Sequence, residues 1–118
     1  GDVYKRQLFD PDHLNQVLTN LCQNGLRHAR KARKQEAEVV LRILSESDSS
    51  ASLEITDNGF GIADNQVSRL FEPFNTTEHD GTGLGLYLCR ELCQANQASI
   101  EFAGNDPGAC FLVRMKRA

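Results

Sequence analysis

No apolar run in this 118-residue chain approaches the ~18 residues that a membrane helix needs. No signal-peptide pattern opens it. Proline is scarce, and its three occurrences, Pro11, Pro73 and Pro107, each fall where an element should start, stop or turn. Among the four cysteines (Cys22, Cys89, Cys93 and Cys110) there is no Cys-x-x-Cys pair, and no histidine stands at a companion spacing to Cys89 and Cys93. Reduced, buried cytosolic thiols are therefore expected, rather than a disulfide frame or a metal knot. Basic residues are not in excess: net charge is −3 and the pI about 5.6, so nothing global points to nucleic acid. Repeats and low-complexity tracts are missing. With 40% hydrophobic and 25% charged residues, neither disorder nor a fibre fits, and the length suits one domain of ~100–150 residues.

What is present reads as alternating helices and strands. Residues 1–8 are polar and patternless; they are expected to be a leader, a remnant or the tail of an upstream segment, with the domain running over 9–118. Asp10-Pro11 is a strong helix start, and Leu14, Val17, Leu18, Leu21, Cys22 and Gly25 follow helical spacing to about Ala32. Alternation predicts strands over 37–45 and 53–57, paired as a hairpin across the polar turn 45–52. Asn58-Gly59-Phe60-Gly61 breaks the second strand. A short helix is expected over 64–70 and stops ahead of Pro73. Residues 75–81 read as a polar loop. A second long helix spans 83–95, with Leu84, Tyr87, Leu88, Leu92 and Ala95 assigned to its apolar side and Asn96 to its cap. Strands over 99–103 and 110–115 flank the turn 104–108. Helices on one face of a mixed, mainly antiparallel sheet is the natural packing, an α+β two-layer sandwich.

Three features carry chemistry. On the first helix, at ~100° per residue, Asn20, Asn24, Arg27 and His28 form a stripe bordering the apolar face. Amide oxygens suit Mg²⁺, and a guanidinium one turn on suits phosphate. Asp57 continues the inward register of Leu53 and Ile55; a carboxylate on a core face needs partners, such as an exocyclic amine. Gly81-Thr82-Gly83-Leu84-Gly85-Leu86 opens a helix with three glycines, which lets main-chain N–H groups approach an anion. No Gly-Lys-Ser/Thr closes it and no strand directly precedes it, so it is neither a P-loop nor a dinucleotide fingerprint. Each feature taken singly also fits a structural reading.

Their conjunction is specific. Asn20-x3-Asn24, Asp57-x-Gly59-x-Gly61, Phe71-Glu72-Pro73-Phe74 and Gly81-x-Gly83-x-Gly85 follow one another in order. In these stretches the chain resembles the catalytic ATP-binding domain of two-component sensor histidine kinases, whose N, G1, F and G2 boxes they match. Residues 14–28 and 71–77 look most like the PilS and NtrB group. The resemblance implies the Bergerat sandwich shared with the gyrase, MutL and HSP90 ATPases. It implies ATP and Mg²⁺ as ligands, with Asn24 on the metal, Asn20 one turn before it, Arg27 near the phosphates and His28 beside the nucleotide. Asp57 would read the adenine amino group, with Gly59, Gly61 and Ile62 shaping the pocket. Phe71 and Phe74 would stand at the base of an ATP lid, and Gly81, Thr82, Gly83, Leu84, Gly85 and Leu86 at its far hinge and phosphate-facing helix start.

The implied reaction passes the γ-phosphoryl group to a histidine on a separate dimerisation domain, with a response regulator downstream. None of His13, His28 and His79 makes a convincing acceptor, so a monomeric fragment that binds ATP without phosphorylating itself is expected. It would be the cytoplasmic part of a parent anchored at the inner membrane, with no nucleic-acid partner. The alternatives are a serine kinase acting on an anti-sigma system with the same fold, or a non-catalytic partner-binding module. Three departures stand out: Gly25 where the family has alanine, Glu78 where relatives often carry lysine, and Gly108-Ala109-Cys110-Phe111 without the threonine many members place beside adenine.

Overall fold

The structure, a computed structural model, describes residues 9–45, 47–75 and 83–116. Helix α1 runs from Pro11 to Arg33. Its start is fixed chemically: the Asp10 carboxylate accepts the N–H groups of Asp12 at 2.8 Å and His13 at 3.2 Å, and Pro11 needs no partner there. Arg30, Lys31 and Arg33 lie in its last turn, at the negative pole of the helix. A 3₁₀ turn, Lys34–Glu36, leads into strand β1 (Val39–Ser45), which pairs with β2 (Ser50–Asp57). A single helical turn, α2 (Asp64–Val67), precedes helix α3 (Gly85–Ala95), and the chain closes with β3 (Ser99–Asn105) and β4 (Ala109–Lys116).

The sheet order is β1-β2-β4-β3, and all three ladders are antiparallel. The expected sandwich is present, but the parallel component anticipated for its sheet is not found among the described residues. Both hairpins pair with themselves, and β4 runs against β2, so no parallel neighbour arises.

Helices α1 and α3 lie together over one face. Val17 and Leu21 from α1, Cys89 and Cys93 from α3, Leu53 and Ile55 from β2, and Phe111 and Val113 from β4 make the buried core, with Phe9 at its margin. Phe111 is gripped edge-on by Phe71 (6.2 Å between centroids) and Phe102 (5.9 Å).

Two packing expectations change. The inward side of α3 is Leu86, Cys89, Leu92 and Cys93, whereas Leu88 is 45% exposed and Ala95 is exposed. Leu92 and Leu86 flank the two buried cysteines on this side, and the small thiols let α3 sit close on α1. Edge strand β1 is apolar yet half-covered: Ile43 is 75% and Leu41 42% exposed, because α1 lies mainly over β2. Asn96 is the C-cap of α3, as expected, and Gln97 follows it in the left-handed region (φ 57°). The Asn96 side chain also accepts the Asp10 N–H at 2.7 Å, tying the end of α3 to the start of α1. The sheet's other face stays open as a shallow cleft of about 490 Å³ over Val40, Thr56 and Cys110. No helix among the described residues is long and apolar enough to cross a membrane.

Candidate functional site

The site is assembled where the end of β2 meets the second half of α1. Asp57 is the last residue of β2 and is 5% exposed, pointing inward in register with Ile55. Its Oδ1 accepts two backbone N–H groups, Gly59 at 2.8 Å and Ala109 at 3.3 Å. The second carboxylate oxygen, Oδ2, has no such backbone bond among the described residues and lies on the α1 side: a Cβ built on Gly25 would stand 3.8 Å from it. A buried carboxylate with one oxygen held rigid and the other turned to a helix flank is built to accept from a ligand donor.

Glycine makes this packing possible. A Cβ on Gly59 would stand 2.8 Å from the His28 carbonyl, and one on Gly108 would overlap Asp57 Oδ1 outright. Gly25 differs. A Cβ there would meet Val39 Cγ2 at 3.2 Å and Asp57 Cβ at 3.4 Å, so alanine needs only a small shift and glycine is not sterically demanded.

The polar stripe of α1 sits as its spacing predicts. Asn20, Asn24, Arg27 and His28 are all half-buried, while Val17, Leu21, Gly25 and Ala29 are fully covered. Arg27 Nη2 donates to Asn24 Oδ1 at 2.9 Å, so the amide oxygen already faces a cation. The Cys89 thiol donates to the Val17 carbonyl of α1 at 3.7 Å. Burial pushes that thiol up to about 12, assisted by Cys93 and opposed by Asn20; burial alone pushes Cys93 to about 11. Both are neutral packing groups at ordinary pH.

The far side begins at the Phe71–Phe74 segment. Phe71 is anchored on Phe111, whereas Phe74 is 73% exposed, with φ 63°. The Phe74 N–H donates to the Gly83 carbonyl at 2.8 Å, so residues 74 and 83 are clasped together. Gly83 (φ 75°) must lack a side chain, since a Cβ would lie 2.5 Å from Phe74 Cα. From there Leu84 leads into α3, whose first turn has no side-chain cap. Gly85, its first residue, has no atom within 4 Å of where a Cβ would be, and Leu86 packs on the core. Gly81, Thr82 and Glu78 lie outside the described residues.

Sequence reasoning missed several contributors. Ala109 and Gly108 reach Asp57 only through the β2–β4 register, which no local pattern announces. Asn58 was read merely as part of a turn. Its side chain accepts the Glu38 N–H and donates to the Glu36 carbonyl, both at 2.9 Å, and Arg33 Nε donates to its carbonyl at 3.1 Å. It thereby fixes the α1–β1 connection against the end of β2. An Asp-Asn-Gly sequence hints at such side-chain-to-backbone bonding, but not at its partner.

The family described as histidine kinase-, DNA gyrase B-, and HSP90-like ATPase matches residues 9–118. The sensor protein kinase PilS of Pseudomonas aeruginosa is 46% identical over 115 residues, covering 96% of this chain and 21% of its own length. The chain thus spans about a fifth of that relative. Among solved structures, the catalytic domain of histidine kinase ThkA superposes with a TM-score of 0.79 at 24% identity, over 92% of this chain and 69% of that one. Full-length ShkA, crystallised with AMPPNP, superposes with a TM-score of 0.74 at 25% identity, over 90% of this chain and 22% of that one.

Proposed function

Since the chain belongs to the family of histidine kinase-, DNA gyrase B-, and HSP90-like ATPases, we propose that it is the ATPase domain of a sensor kinase and holds ATP with Mg²⁺ between α1, the end of β2 and the start of α3. In this reading it donates the γ-phosphoryl group to a histidine on a separate dimerisation domain of the parent protein. Asp57 Oδ2 accepts from the adenine amino group, while Gly59, Gly61 and Ile62 wall the base. Asn24 supplies one oxygen to the metal, a donor set that suits Mg²⁺ because that ion keeps most of its waters. The Arg27–Asn24 bond supports the fit: the amide oxygen is already oriented toward positive charge, and a guanidinium beside it suits phosphate. Bound Mg²⁺ supplies neutralisation of phosphate charge. Asn20 and His28 border the nucleotide. Phe71, Phe74 and Gly83, with Gly81 and Thr82 beyond the described residues, form the lid hinges. The start of α3, at Leu84, Gly85 and Leu86, faces the phosphates with the positive pole of the helix.

The observation that carries this reading is Asp57, buried, fixed through Oδ1 and open at Oδ2. Calorimetric titration of the chain with AMPPNP tests it. Binding that strengthens with Mg²⁺ and is lost on Asp57→Ala is expected; an unresponsive wild-type chain would refute the proposal.

This proposal places the acceptor outside the chain; His79 lies outside the described residues. His13 is half-buried with its Nδ1 3.0 Å from Asn96 Nδ2, and the His28 backbone packs against Gly59. Incubation with radiolabelled ATP should therefore leave the isolated chain unlabelled. The domain, from residue 9 onward, is cytoplasmic and monomeric in this proposal, within a parent anchored at the inner membrane. Its partners are the parent's own dimerisation domain and, through it, a response regulator. The matched relatives are sensor kinases, which does not favour a serine kinase or a non-catalytic module.

A further inference from the structure

Asn105, the last residue of β3, belongs to none of the four boxes, yet its amide lies flat against the segment after Asp57. Ile62 N–H donates to Asn105 Oδ1 at 2.9 Å, and Asn105 Nδ2 donates to the Ile62 carbonyl at 2.9 Å. One side chain thus offers Ile62 an acceptor and a donor, as a neighbouring strand would. The fit is close: at Gly61 (φ 83°), a Cβ would lie 2.7 Å from Asn105 Cγ and Oδ1.

The same turn holds the other end of the segment. Asp106 N–H donates to the Gly108 carbonyl at 2.9 Å, which tightens the β3–β4 connection. Ala109 N–H then reaches Asp57 Oδ1, and Gly108 leaves that carboxylate room. Residues 57–62 are therefore gripped at both ends by residues 105–109, some 43 to 52 positions away. Between the grips, Phe60 is 80% exposed.

We propose that Asn105 is a positioning residue for nucleobase recognition: it acts through Ile62 to hold the pocket wall at a fixed distance from Asp57. This rests on the nucleotide reading above. A wall that can drift would bind the polyphosphate much as before but would read the base less sharply. The prediction concerns discrimination as well as affinity.

The test titrates the chain with ATP and with inosine triphosphate, which lacks the 6-amino group, using wild type, Asn105→Ala and Asn105→Asp. Wild type should prefer ATP. Asn105→Ala should weaken ATP about tenfold and inosine triphosphate much less, collapsing the preference. Asn105→Asp keeps the acceptor for Ile62 N–H but sets an oxygen against the Ile62 carbonyl in place of the donor, so it too should weaken ATP more than inosine triphosphate and narrow the preference. It carries the same comparison should the alanine variant not fold. An unchanged ATP preference in the folded variants, or equal weakening of both nucleotides, overturns the inference. A wild-type chain that binds neither nucleotide overturns the underlying reading as well, and is distinguished from the first outcome by that failure.

Discussion

The two ends of the proposed nucleotide site are built by opposite means. Around Asp57 every neighbour is close: Gly59 and Gly108 have no room for a Cβ, and two N–H groups hold one carboxylate oxygen. At the start of α3 the chain is open, with Gly85 facing empty space and no side chain capping the helix. A flat ring with one amine is read by fixed geometry, which needs a dense, preorganised wall. A flexible, charged chain of phosphates is held by field and by N–H groups, which need access. Glycine serves both ends for different reasons: at one because nothing larger fits, at the other because the backbone must be approachable.

The contrast predicts a graded series of effects. Gly108→Ala should be the most damaging, since its methyl collides with Asp57 and with Gly59 N at 2.6 Å. A loss of about 3 kcal/mol in urea unfolding is expected, with nucleotide binding gone. A wild-type-like urea midpoint would show that the dense end is softer than described. Asp57→Asn keeps the shape but replaces an acceptor by a donor, so calorimetry should find ATP weakened by about 10–100-fold in a folded protein. Raising the pH tests the core between the helices. Cys89 and Cys93, near 12 and 11 when folded, ionise from about 9 once unfolded. The unfolded state then binds fewer protons, so stability is intact below pH 9 and declines as pH rises toward 11. A double Cys→Ala variant should lose that slope in urea titrations at pH 8 and 10.5. Gly83→Ala should cost about 1–3 kcal/mol through its positive φ and its contact with Phe74. At the open end, Gly85→Ala should leave stability unchanged or raise it by up to ~1 kcal/mol while weakening ATP several-fold. A clear loss of stability there would erase the distinction between the two ends.

Much of this was legible in the residues themselves. Helical spacing placed Asn20, Asn24, Arg27 and His28 on a half-buried flank, and strand alternation turned Asp57 inward, because both periods are local properties of the backbone. What escaped depends on register between distant segments. Nothing near residue 105 indicates that its amide will meet residue 62, and nothing at 108 indicates that it will sit under a carboxylate on another strand. The inward face of α3 was misjudged for a related reason. The three leucines of α3 outweigh its two cysteines by hydrophobicity alone, but the helix turns Leu88 outward and buries Cys89 and Cys93 against α1. The exposure of β1 follows from where α1 lies, which its own alternation does not encode.

The clasp between Phe74 and Gly83 has a consequence for how such a domain can diversify. Whatever joins these two residues departs and returns at a single point, so its closure cost rises only slowly with length. A change in the length of what joins them therefore asks for no change at Asp57 or in the packing of α1 on α3.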